Sequence, residues 1–211
     1  MLKSITLICT ASLAFAGGAA NAATTYTSEA AFVAAAGGGL AFESFETPAA
    51  VNPTTVVLND VTVSCSGSTY CPGFFGVRQL NATDGRQTVF FATPDSATFT
   101  FSSAITAFGI DVIDLGTVGG TNFTINYVNG SSVLFSNYSG GGVLFAGVID
   151  TIPFLSVTFS GSSPNDGIDF DRLQYKFDNA VPEPTTWLMM IAGFGLVGAS
   201  QRRRASRAVV A

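Results

Sequence analysis

The chain contains no histidine among its 211 residues. That excludes Ser-His-Asp and Cys-His nucleophilic catalysis and any imidazole-ligated zinc or copper site. It also removes the side chain that most often moves protons near neutral pH. Any bound metal would have to be held by oxygen, which points to calcium. Charge is scarce too, at 11% of residues, and cations are scarcest in the middle of the chain. Between Ala23 and Ala180, thirteen acidic residues stand against Arg78, Arg86, Arg172 and Lys176, so this stretch carries −9 where the whole chain carries −5. Such a surface repels phosphate backbones, which argues against nucleic acid as a partner. It suits cations or neutral sugars.

Cysteine is nearly absent as well, and the place of each one matters. Met1 to Ala22 reads as a secretory signal peptide. Lys3 forms its short basic head, Ile5 to Ala16 its apolar run, and Ala20-Asn21-Ala22 its small-residue box, with cleavage before Ala23. Cys9 lies inside that run, which leaves Cys65 and Cys71 in the exported chain. In an oxidising compartment these two can pair and staple a hairpin tip. No neighbouring cation is at hand to lower a thiol pKa, so the bridge would be structural.

What the chain has in plenty is apolar and turn-forming residue: 47% hydrophobic, with 19 Phe and 23 Gly. Thr27 or Ser28 can cap a short helix with Glu29 in its first turn, Phe32 as its core contact and Gly37 to Gly39 as its end. Beyond it the pattern has period two. Candidate strands run over Leu40 to Glu46, Val57 to Cys65, Phe74 to Leu80, Thr88 to Ala92 and Phe99 to Phe101. Others run over Ile105 to Ile113, Phe123 to Tyr127, Val133 to Phe135, Val143 to Ile149, Leu155 to Phe159 and Gly167 to Phe177. Turns are predicted at Asn81 to Gly85 and at Asn129-Gly130, the strongest hairpin signal in the chain. In the last strand the apolar phase changes between Ile168/Phe170 and Leu173/Tyr175, which predicts a bulge near Asp171-Arg172. About ten short strands with one opening helix predict an all-β, antiparallel β-sandwich over residues 23–180.

The far end is organised differently. Val181-Pro182-Glu183-Pro184 stays extended, because two prolines fix φ and remove two donors. Trp187 to Ala199 carries no charge, and Arg202, Arg203 and Arg204 follow. An apolar span closed by arginines predicts a membrane-segment helix with its basic end in the cytoplasm and Trp187 at the opposite interface. At 1.5 Å per residue it reaches roughly 21 Å, short of a hydrocarbon core of about 30 Å. A temporary hold suits it better than a lasting one.

Pro182-Glu183-Pro184, Trp187, the Met189-Met190-Ile191-Ala192-Gly193-Phe194-Gly195 run and the arginine cluster resemble the PEP-CTERM sorting signal of exported proteins in Gram-negative bacteria. The resemblance, over residues 181–211, implies several things. A membrane-embedded transpeptidase, an exosortase, would recognise Pro182, Glu183 and Pro184 and cleave nearby. The protein would be held in the inner membrane for a time, then passed to the cell surface or extracellular exopolysaccharide matrix. The order of pieces in the middle is similar to the jelly-roll domains of many such proteins, through Phe42-Glu43-Ser44-Phe45-Glu46, the Ile105 to Ile110 strand and Gly167-Ile168-Asp169-Phe170-Asp171. Jelly-roll sugar-binding modules often tie first and last strands with calcium. That makes Glu46, Asp169 and Asp171 candidate ligands, with Glu43 unable to share a face with Glu46 in regular geometry.

Other expectations come from side-chain chemistry. Tyr70 and Phe74, beside the stapled loop, are candidates for stacking on sugar rings. Asp111 with Asp114, or Glu43 with Asp169, are formal carboxylate pairs for glycoside hydrolysis. Acidic residues on a sandwich are far more often surface groups, so a non-enzymatic structural or binding role is expected. Ice binding would need a regular array of threonines, and none is visible along the sequence.

Overall fold

The computed structural model describes residues 23–178 and 190–195. The first of these stretches opens with strand β1 (Thr24–Tyr26) and helix α1 (Glu29–Ala36). Ser28 caps the helix, its Oγ accepting from Ala31 N at 3.5 Å, and Gly37 at φ 71° ends it in the left-handed conformation that glycine adopts without strain. Short strands follow: β2 (Ala41–Glu43), β3 (Ala50–Asn52), β4 (Thr55–Val57), β5 (Val61–Ser66), β6 (Gly76–Arg78) and β7 (Thr88–Ala92). The longer ones are β8 (Ser96–Ile113), β9 (Thr121–Tyr127), β10 (Gly130–Tyr138), β11 (Val143–Gly161) and β12 (Gly167–Phe177). All pairings are antiparallel.

Two strands are long enough to belong to both layers. The first part of β8 pairs with β5 and with the end of β11, while β8 from Ile105 onward pairs with the start of β11 and with β12. The β8–β11 register slips between Ile149 and Ser156, where the strands bend from one layer to the other. Sheet I therefore runs β3-β4-β5-β8-β11-β9-β10, and sheet II runs β1-β11-β8-β12, with β7-β6 and β2 on the far edge of β12. The sequence pattern divides each long strand into two, because the apolar alternation breaks at the bend.

The layers close on a core of phenylalanines. Phe170 of sheet II packs on Phe91, Phe99 and Phe159 with ring centroids 5.3, 5.2 and 5.0 Å away, and Phe99, Phe108 and Phe123 extend the cluster. Offset and edge-on contacts of this kind add to the burial term that dominates the fold. The predicted bulge is present. Between the pairs Asp171–Asp111 and Gln174–Gly109, two residues of β12, Arg172 and Leu173, oppose one of β8, with Arg172 at φ 51°, and this turns both Phe170 and Leu173 inward. The β9–β10 hairpin also forms, but its turn residues are Val128 and Asn129, and Gly130 already pairs with Tyr127.

The outer faces differ. On sheet I, Thr62, Ser64 and Ser66 of β5 stand opposite Thr100, Thr98 and Ser96 of β8. Beyond these, β11 places Ser156, Thr158 and Ser160 in the same rows. On sheet II, Gly109 and Gly147 leave a notch for Phe32 of α1, and a β-carbon at Gly109 would lie 2.8 Å from that ring. Helix and notch thus require each other.

Candidate functional site

The acidic residues singled out in the sequence lie on or beside the outer face of sheet II, where each already has partners. Asp169 is fully buried and takes a two-armed ion pair from Arg78, with Nε at 2.6 Å, and a third bond from Thr88 Oγ1 at 2.8 Å. The Arg78 guanidinium lies 3.8 Å from the Phe90 ring centre. Asp171 Oδ2 accepts from the backbone of Thr83 and Asp84, both at 2.7 Å, and its Oδ1 accepts from Arg172 N at 2.8 Å. Cross-strand from it, Asp111 accepts from Thr83 Oγ1 at 2.7 Å and from Arg172 at 3.3 Å. Glu46 reaches the other end of the same loop and accepts from Arg86 N at 2.6 Å and Gln87 N at 2.7 Å. The loop from residue 79 to 87 is held by Asp171 at its middle and by Glu46 at its end.

Helix α1 is tied by the same means. Glu29 accepts from Arg172 and Gln174, both at 2.6 Å, and Lys176 donates to the Ala36 carbonyl at 2.7 Å, near the helix C-terminus where a cation is favourable. The bulge makes this possible, since it carries Arg172 to where it meets both Glu29 and Asp111.

Protonation follows these surroundings. Burial pushes Asp111 and Asp171 above the ordinary carboxylate value, and the bonds from Thr83 and nearby groups only partly offset that. Backbone N–H bonds from Arg86 and Gln87 hold Glu46 below it. Burial opposes ionisation of Asp95, yet N–H groups of Cys71, Tyr70, Thr69 and Ser68 outweigh it and lower that pKa.

The expected calcium ligands Glu46, Asp169 and Asp171 are each taken up by different donors of the protein. Among the described residues, no group of three or more cysteine, aspartate or glutamate side chains is placed to hold a metal ion. The formal hydrolytic pairs are also occupied. Glu43 accepts from Phe45 N at 2.9 Å, and Asp114 accepts from the Asn81 amide.

The stapled loop has its own carboxylate. Cys65 and Cys71 are joined, with Cα atoms 6.0 Å apart, and Asp95 receives Thr69, Tyr70 and Cys71 N at 3.3, 2.7 and 2.6 Å. Tyr70 packs edge-to-face on Phe74, 5.6 Å between centroids and 88° between planes, while Phe74 is 54% exposed. A perpendicular pair offers a sugar one ring face and no shared platform. Sequence reasoning missed the partners of Asp95, Thr83, Arg78 and Arg172, which lie 24 to 143 residues away in the chain.

Ala23 opens the described chain, whereas Ala20, Ala22, Pro182, Glu183, Pro184, Trp187, Arg202, Arg203 and Arg204 lie outside the described residues. Residues 190–195 are helical and exposed. Among the described residues no helix is long and apolar enough to cross a membrane, and most of the expected membrane-segment helix lies outside them. Sequence comparison decides the character of this end. The model of the PEP-CTERM protein-sorting motif matches residues 180–204.

Residues 180–204 carry a PEP-CTERM sorting motif.

No curated protein matches the chain. Among solved structures, the xylan-binding module CBM15 is similar over 69% of this chain and 100% of its own, at 14% identity and TM-score 0.41. The CBM22-1 xylan-binding domain of Paenibacillus barcinonensis Xyn10C is similar over 67% and 95%, at 13% and 0.36. The catalytic unit of a GH87 α-1,3-glucanase from Streptomyces thermodiastaticus is similar over 69% of this chain and 27% of its own, at 13% and 0.37. At these identities and scores, no ligand or activity passes from them to this chain.

Proposed function

We propose that this is an exported protein whose PEP-CTERM motif is read by an exosortase at the inner membrane, and whose β-sandwich then serves at the cell surface or in the extracellular matrix in a non-enzymatic, structural or binding role. The match over residues 180–204 carries the reading. Its parts have separable tasks: Pro182-Glu183-Pro184 for recognition, Trp187 to Ala199 for a transient hold in the bilayer, and Arg202 to Arg204 for orientation. The domain supports a non-catalytic role through the way its carboxylates are used. Asp111, Asp169 and Asp171 are bonded to the protein's own loop and arginines, which leaves them poorly placed as acid and base toward a substrate. Glu183→Ala in the full chain, expressed in its host, should leave uncleaved precursor in the membrane fraction. Normal processing of that variant, seen on immunoblots of fractionated cells, would contradict the reading.

A further inference from the structure

The charged residues nearest to the hydroxyl rows of sheet I, Asp60 and Asp95, stand at the ends of the rows, Asp60 sharing a surface cavity with Thr62 and Thr100. The strand segments that build this face, from β3 across to β10, carry no Asp, Glu, Lys or Arg. A face turned to water usually mixes charges into its polar positions. Here the paired outer positions of the three central strands are serine and threonine, with Leu155 exposed at the bend of β11, and Thr124 and Asn126 of β9 continue the rows. Strand geometry sets the spacing at about 4.8 Å between strands and about 6.8 Å between alternate residues of one strand. The array absent along the sequence is therefore present across it.

We infer that this face binds a neutral polysaccharide along its length. Serine and threonine hydroxyls both donate and accept, as sugar hydroxyls do, so a repeating polymer meets a repeating grid with either polarity of bond. Thr98 Oγ1 and Thr158 Oγ1 are already 2.8 Å apart, and threonine is stiff at χ1, so little freedom is lost on binding. With no Lys or Arg in the strand segments, Asp60 and Asp95 at the row ends and a net negative domain around them, an anionic polymer finds no cation and is repelled. A protein partner would look for aromatic or arginine anchors in an apolar centre, and the rows supply neither. The sheet twists by about 20° per strand, which a flexible sugar chain can follow and a rigid lattice plane such as ice cannot. Each hydroxyl contact is weak, so affinity comes from many together and a monosaccharide competes poorly.

The inference rests on the export reading only for where such a polymer is met. It is tested by co-sedimenting the purified full-length chain with microcrystalline cellulose, insoluble starch and calcium-gelled alginate. Retention on at least one neutral polymer, none on alginate, and binding at least about tenfold weaker for Thr98→Val with Thr158→Val is the expected result. Thr98→Ser with Thr158→Ser keeps the hydroxyls and should keep the binding, which separates their loss from misfolding. No retention on either neutral polymer overturns the inference, as does undiminished binding by the valine variant. Loss through Phe74→Ala alone would move the contact to the stapled loop and overturn it. So would arrested growth of ice crystals without polymer binding, or a dimer that dissociates in the valine variant. The valine variant should be processed normally at residues 180–204, so failure here is distinct from failure of the sorting assignment.

Discussion

The two outer faces of the sandwich solve the same problem, polar groups on a sheet, in opposite ways. On sheet II the polar groups are carboxylates, and each is buried or bound beneath α1, the 79–87 loop or an arginine. On sheet I they are hydroxyls, uncharged and not covered by any other described element. Ionised groups under a lid must all be satisfied, so a lidded face is intolerant of change. Hydroxyls in water can be lost at little cost. The contrast separates residues that hold the fold from residues free to serve a partner.

The sharpest way to break it is at Asp169. Asp169→Asn should destabilise the protein by about 3 kcal/mol, because the fully buried Asp169 carboxylate that holds the partly exposed Arg78 and Thr88 is lost. Urea unfolding followed by near-UV circular dichroism measures this. Gly109→Val comes next, at about 2 kcal/mol, since the added carbons collide with the Phe32 and Phe145 rings. Faster proteolysis near residues 24–40 should accompany it as α1 is displaced. Asp95→Asn should cost about 1–2 kcal/mol at neutral pH through weaker bonds to the Tyr70 and Cys71 amides. The Asp95 pKa is lowered in the fold, so its contribution is present above the ordinary value of 3.8 and is lost as pH falls through the folded value. The gap between wild type and variant should therefore close in acid.

Asp171 has the opposite sign. Its raised pKa gives a contribution complete below 3.8 that disappears as pH rises through the folded value. Melting curves of Asp171→Asn from pH 3 to pH 6 should thus gain on wild type with rising pH, where Asp95→Asn loses. The smallest effect belongs to the other face. Thr98→Val should change stability by less than about 0.5 kcal/mol, since valine fits a strand as well as threonine does.

Much of this was legible in the residues. Ser28, Phe32 and Gly37 announced the helix, and the slip from Phe170 to Leu173 announced the bulge, because local spacing alone determines both. The bends of β8 and β11 were hidden, since an interrupted alternation looks the same as a strand end. The fate of the acids was hidden too. A carboxylate's partner depends on which distant loop folds over it, and nothing near Asp171 in the chain points to Thr83. The hydroxyl rows needed the register of three strands before they could be seen as rows.

Intact-mass analysis of the protein recovered from the cell surface tests the central assignment most directly. The expected result is a chain beginning at Ala23, oxidised at Cys65 and Cys71, and ending before Arg202. A surface protein still carrying Arg202, Arg203 and Arg204 would contradict it.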